Sequence, residues 1–234
     1  MSDRLSRQKL KAALESLPEK EQKKDLVGNL RQFAQSTAQA CNSLEKSFQT
    51  ARLVQAIFSG TEFRQLREKA ADAARTARAC DKKLVADVRV VSKDSFDKQV
   101  VAIKDYATAG ANSVSDVWQK KLNTHIETYQ RIADAARLAR VPGSEPLEGT
   151  LNELRTRQRL LPSDAIDAAK LAKKVAGVAE TIQNLGLTGK PREFLIAAAN
   201  GQASARDLDQ PDIREWLTRY QLWDILRVRV GSAQ

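Results

Sequence analysis

Between Leu30 and Val91 the apolar positions fall into two runs that mirror each other about Gly60. Counting outward, Phe58 stands opposite Phe63, Ala51 opposite Ala70, Phe48 opposite Ala73, Leu44 opposite Ala77, Cys41 opposite Cys80, Thr37 opposite Leu84, Phe33 opposite Val88 and Leu30 opposite Val91. Within each run the positions recur three and four residues apart, the period of one helix face. The mirror relation predicts a long antiparallel helical hairpin with a large side chain against a small one at most levels, so that the arms approach closely. The expected arms are residues 19–58 and 61–91, with Ser59 as N-cap and Glu62 completing a capping box. Residues 85–91 are rich in β-branched side chains and so are expected to fray toward extended structure.

The same spacing reappears from Asp94 through Phe96, Val100, Ile103, Ala107, Gly110, Val114 and Val117, and continues after a small phase change through Trp118, Leu122, Ile126, Tyr129, Ile132 and Ala136. A helix over 94–140 would be roughly 70 Å long. Gly110 near its middle costs about 1 kcal/mol relative to Ala, which suits a close helix crossing or a bend.

Pro142, Gly143, Pro146 and Gly149 punctuate residues 142–150 and mark the clearest internal boundary. Beyond it the pattern is shorter and denser, with helices expected over 151–161, 163–184 and 191–199 and a last one opening at Pro211. Residues 226–230 alternate like a short edge strand. Before the hairpin, residues 1–18 hold a short amphipathic pattern ended by Pro18. Four segments result: an N-terminal arm (1–18), a long-helix body (19–141), a linker (142–150) and a small helical subdomain (151–234). The fold class is all-α, an elongated antiparallel coiled coil or three-long-helix bundle with a small C-terminal helical subdomain. The exposed stripe of such a hairpin is closed by the third helix or, in a homo-oligomer, by another copy.

Composition narrows the class. Aromatic residues make up only 5% of the chain while alanines cluster around residues 70–79, a mixture that favours close helix packing over a large globular core. The longest apolar runs fall well short of the roughly 20 residues a membrane span needs, and the polar start does not read as a signal peptide. The expected compartment is the cytoplasm, with no membrane partner. Two cysteines do not make a disulfide framework. In the mirrored register Cys41 and Cys80 come level and read first as small buried thiols at a tight helix crossing, which oxidation would join within one chain.

The formal net charge of +10 and pI near 9.7 invite an acidic partner. At about 100° per residue, Arg64, Arg67, Arg75, Arg78, Lys82 and Arg89 fall within a sector roughly 80° wide, opposite the hairpin stripe, over about 38 Å of helix. Such a row matches a phosphate backbone in charge and reach, and Arg adds bidentate geometry. Against it stands the ordinary solvated helix face, flanked here by Glu68. Arg137, Arg140, Arg155, Arg157 and Arg159 form a second basic cluster beside the linker.

Catalytic chemistry finds little footing. His125 is the lone histidine and lies inside a long helix, and neither cysteine has the context of a nucleophile. Gly186, Gly189 and Lys190 do not make a phosphate loop, because the earlier Gly is missing and Pro191 replaces the metal-binding Ser or Thr. Asp207, Asp209 and Asp212 precede a helix and read as N-caps. No metal or cofactor is expected. Trp216, Tyr220 and Trp223 are a candidate aromatic patch for a protein partner, although a subdomain this small needs some of them for its core. The sequence thus points to a non-enzymatic adaptor or structural subunit of a nucleic-acid-associated assembly, binding protein partners and, through the basic face, phosphate backbone. The rivals are a stand-alone, sequence-non-specific nucleic-acid binder and a cationic stalk that binds an acidic protein.

Overall fold

A computed structural model describes residues 20–223 together with Ala12, with side chains from residue 24 onward. Among these residues the chain is all-helical: α1 (Lys20–Ile57), α2 (Arg64–Ala86), α3 (Asp94–Leu138), α4 (Glu145–Thr156), α5 (Ala165–Asn184), α6 (Gly189–Ala199) and α7 (Pro211–Arg219), with 3-10 turns at Val88–Ser92 and Ala205–Asp209. The terminal arm and the alternating residues 226–230 lie outside the described residues. In the described part the chain divides into two compact units, one from Met1–Arg52 and Gly60–Val117, the other from Leu53–Ser59 and Trp118–Gln234.

The first unit draws one buried cluster from α1, α2 and α3. Leu26, Ala40, Ala73, Cys80, Leu84, Ile103 and Ala107 lie inside it, and the Phe33 and Phe96 rings meet at 5.1 Å between centroids. Gly110 marks a tight approach, since a Cβ there would stand 3.2 Å from both Leu44 Cδ2 and Leu66 Cδ1. On α1 the buried residues are Leu26, Ser36, Ala40, Ser47, Ala51, Val54 and Ile57, whereas Cys41 is exposed and Phe48 is 37% exposed. Leu30, Phe33, Leu44 and Ala51 keep the expected side, while at Cys41 and Phe48 the inward position passes to the preceding residue. Ala40 and Ser47 follow Leu26 and Phe33 at intervals of seven, so the buried line takes the smaller Ala40 and Ser47 where the expected stripe chose Cys41 and Phe48. Ser47 satisfies its hydroxyl by donating to Ser43 O at 2.7 Å. The consequence for the cysteines is direct: Cys80 is fully buried, its Sγ donating to Gln99 Oε1 at 3.4 Å, while Cys41 faces solvent, so they are not level across a seam.

Two element boundaries also differ from expectation. Helix α2 begins at Arg64 with Phe63 in the N-cap position and no side-chain cap, so the Ser59–Glu62 capping box does not form. It ends at Asp87, whose φ of −152° is extended, and residues 88–92 close into a 3-10 turn in which Asp87 Oδ1 accepts from Arg89 N, rather than a strand.

The second unit is organised by large anchors. Trp118 is fully buried and donates from Nε1 to Arg157 O at 3.1 Å, and Phe58 packs on it at 6.0 Å. Helix α4 starts at Glu145, inside the stretch expected to be linker. Four helices end alike: α6 closes through Gly201 (φ 70°) with Gln202 N bonding back to Ala197 O at 2.7 Å, and the other three also bury the residue that follows the turn. After α3, α5 and α7 a left-handed residue, Arg140 (φ 49°), Gly186 (φ 63°) or Gln221 (φ 55°), turns the chain. The next N–H then bonds back five residues, Val141 to Ala136 O, Leu187 to Ile182 O and Leu222 to Leu217 O. These are Schellman ends, and each tucks its apolar residue, Val141, Leu187 or Leu222, into the core. The Asp cluster is divided: Asp207 Oδ2 accepts from Ser204 N, Asp209 pairs with Arg214, and the N-cap position of α7 is Gln210.

Candidate nucleic-acid interface

Helix α2 has two unlike faces. Leu66, Ala73, Cys80 and Leu84 are buried, while Arg64, Arg67, Arg75, Arg78 and Lys82 on the opposite side are all exposed. With the helix running unbroken from Arg64 to Ala86, these five cations share one sector and span about 27 Å at 1.5 Å per residue. Arg89 is exposed too but sits on the 3-10 turn beyond the extended Asp87, so the 100° helical count that aligned it with the row does not reach it.

The row is built from two Arg-x-x-Arg pairs eleven residues apart, Arg64 with Arg67 and Arg75 with Arg78. Eleven residues are three turns, so both pairs point the same way about 16 Å apart. Between them Ala71 and Ala74 are exposed, and the exposed Glu68 stands at the edge of the row.

Local carboxylates offset part of the charge. Arg64 Nε lies 2.9 Å from Glu68 Oε1, and Asp72 pairs with Arg75 and stands 4.0 Å from Lys69 Nζ. Arg67, Arg78 and Lys82 have no ion pair among the described residues. Asp72 was not weighed in the sequence reading, although its spacing three residues before Arg75 signals the pair. Lys69 is turned away from the row, its Nζ 5.6 Å from the Tyr106 ring centroid.

The second basic cluster disperses over the other unit. Arg137 approaches Glu148 at 3.6 Å, Arg155 donates to Asn152, and Arg157 is committed to Asp167. Arg140 and Arg159 are exposed.

The aromatic trio has divided roles. Trp216 is buried over Gly186 and donates from Nε1 to Leu185 O at 2.9 Å, and Tyr220 Oη donates to Asn184 O at 2.7 Å. Both thus satisfy carbonyls that helix α5 leaves open at its C-terminus. Trp223 alone is well exposed, at 42%, with Nε1 on Thr218 Oγ1. One face of Trp216 lines an apolar depression of about 230 Å³ with Leu138, Phe194, Ala198 and Leu222. Leu138 at its edge is 61% exposed.

His125 is half-buried in this unit, its ring 6.1 Å from that of Phe58 and 4.8 Å from that of Tyr129. Burial pushes its imidazole below the ordinary value, with a backbone hydrogen bond at Val175 acting the other way. Its Nε2 is buried without a partner. Among the described residues no helix is long and apolar enough to cross a membrane. No family model, curated protein sequence or solved structure matches the chain.

Proposed function

We propose that this protein is a non-enzymatic helical adaptor or structural subunit of a nucleic-acid-associated assembly in the cytoplasm. In this reading the three long helices act as an antiparallel coiled-coil body. The outward face of α2 follows phosphate backbone, and the apolar depression beside Trp216 takes a protein partner. One observation carries the reading: five exposed cations occupy one sector of α2 while the opposite sector is buried. A row of cations spaced along one helix face contacts phosphates, which carry no base identity, and hence binds without sequence preference.

The test is a salt series of binding to a labelled duplex and to single-stranded DNA and RNA. With five contacts the logarithm of affinity falls with log salt at a slope of about −4.5, and Arg67→Glu with Arg75→Glu and Arg78→Glu abolishes binding. Binding that survives the triple change overturns the role of α2. Retention of protein partners by that variant, and their loss in Leu138→Glu, distinguishes the adaptor from a nucleic-acid binder that acts alone.

A further inference from the structure

Helices α4 and α5 run antiparallel, Glu153 meeting Lys174 and Arg157 meeting Asp167, and enclose a groove of about 610 Å³. Four cations, Arg157, Lys170, Lys173 and Lys174, line it against two carboxylates, Glu153 and Asp167. Each carboxylate is matched by one cation, which leaves Lys170 and Lys173 without an ion pair among the described residues. The groove is therefore electropositive in its own right and independent of the α2 face.

Two further features point to a ligand. Arg157 makes one guanidinium contact to Asp167 through Nη2, while its Nε is buried with no hydrogen-bond acceptor. A buried cationic N–H without a partner is costly, and a shift of the Arg157 side chain toward an anion in the groove would satisfy it. Gly177 in the groove wall sits in the interior of α5, where glycine is less favourable than any residue except proline. Nothing in the fold requires it, since a Cβ there would find no atom within 4 Å. The absent side chain keeps the groove open.

The lining also defines the ligand's chemistry. Thr150, Thr156 and Thr181 spend their hydroxyl protons on their own helix, on Pro146 O, Glu153 O and Gly177 O. The donors left for a ligand are thus ammonium groups and Arg157. No aromatic side chain lines the groove, so there is no platform on which a base could stack. We infer that the α4–α5 groove binds a compact polyphosphate anion, held by Lys170, Lys173 and Arg157 over the opening at Gly177.

The test uses the full chain with inorganic tripolyphosphate as probe, followed by calorimetric titration and by the rise in Tm on ligand binding. Saturable binding is expected, weakened at least tenfold in Lys170→Glu/Lys173→Glu and in Gly177→Leu, and unchanged in the Arg67, Arg75, Arg78 triple variant. Gly177→Leu carries the decision, because leucine favours the helix and the unliganded Tm should hold or rise while the groove is filled. No saturable binding by the wild type overturns the proposal. So does full binding by Gly177→Leu, an equal Tm rise with sulfate at matched ionic strength, or loss of binding in the α2 variant.

Discussion

The two units solve the same packing problem in opposite ways. In the first, small residues, Ala40, Ala73, Ala107 and Gly110, take inner positions among Leu26, Leu84, Phe96 and Ile103 and let the helices approach, and no tryptophan takes part. In the second, indoles act as anchors, Trp118 holding Arg157 O and Trp216 holding Leu185 O, while Schellman ends fold apolar residues back into the core. Small-residue packing depends on every level of a long seam and leaves the outer helix face exposed, as on α2. Anchor packing concentrates stability at a few side chains and turns.

The largest way to break this contrast is Trp118→Ala, which should cost about 3–5 kcal/mol in denaturant unfolding of the second unit. Trp118→Phe keeps most of the packing and isolates the hydrogen bond to Arg157 O, with a smaller loss. The corresponding stress on the first unit is Gly110→Leu, which inserts a side chain where even a Cβ meets two leucines at 3.2 Å and should cost about 1–3 kcal/mol. A seam able to accommodate leucine there without loss would refute the close crossing.

Acidification tests the second unit alone. Because burial lowers the pKa of His125, the unfolded chain binds the proton more readily than the folded one. The stability tied to this residue is complete above about pH 6.5, the ordinary histidine value, and declines as pH falls below it. His125→Phe should remove that component of a stability-against-pH curve, and an unchanged curve between pH 7 and 5 would show that the imidazole is not responsible.

Smaller effects sharpen the picture. Arg140→Gly relieves a non-glycine left-handed residue and should stabilise by up to about 1 kcal/mol. Thiol labelling in native conditions should modify Cys41 quickly and Cys80 only on unfolding, since Cys41 is exposed and burial raises the Cys80 thiol. Glu68→Ala should change stability by less than about 0.5 kcal/mol, yet tighten nucleic-acid binding by freeing Arg64.

The sequence by itself determined the helical class, the helix from Asp94 to Leu138, the opening of α7 at Pro211 and the outward placement of the α2 cations. These follow from periodicity and from residues whose backbone preferences are strong. Tertiary structure decided which of two adjacent residues faces inward on α1, because Ala40 and Ser47 are chosen over Cys41 and Phe48 by the space between helices, and no single-helix pattern contains that space. It also decided that Arg140 and Gln221 adopt left-handed turns that neither residue prefers, the burial of Val141 and Leu222 offsetting the local strain. Trp216 shows the same division: its helix and amphipathic side were legible, but only the approach of Gly186 and the open carbonyl of Leu185 make it a core residue instead of a free docking ring.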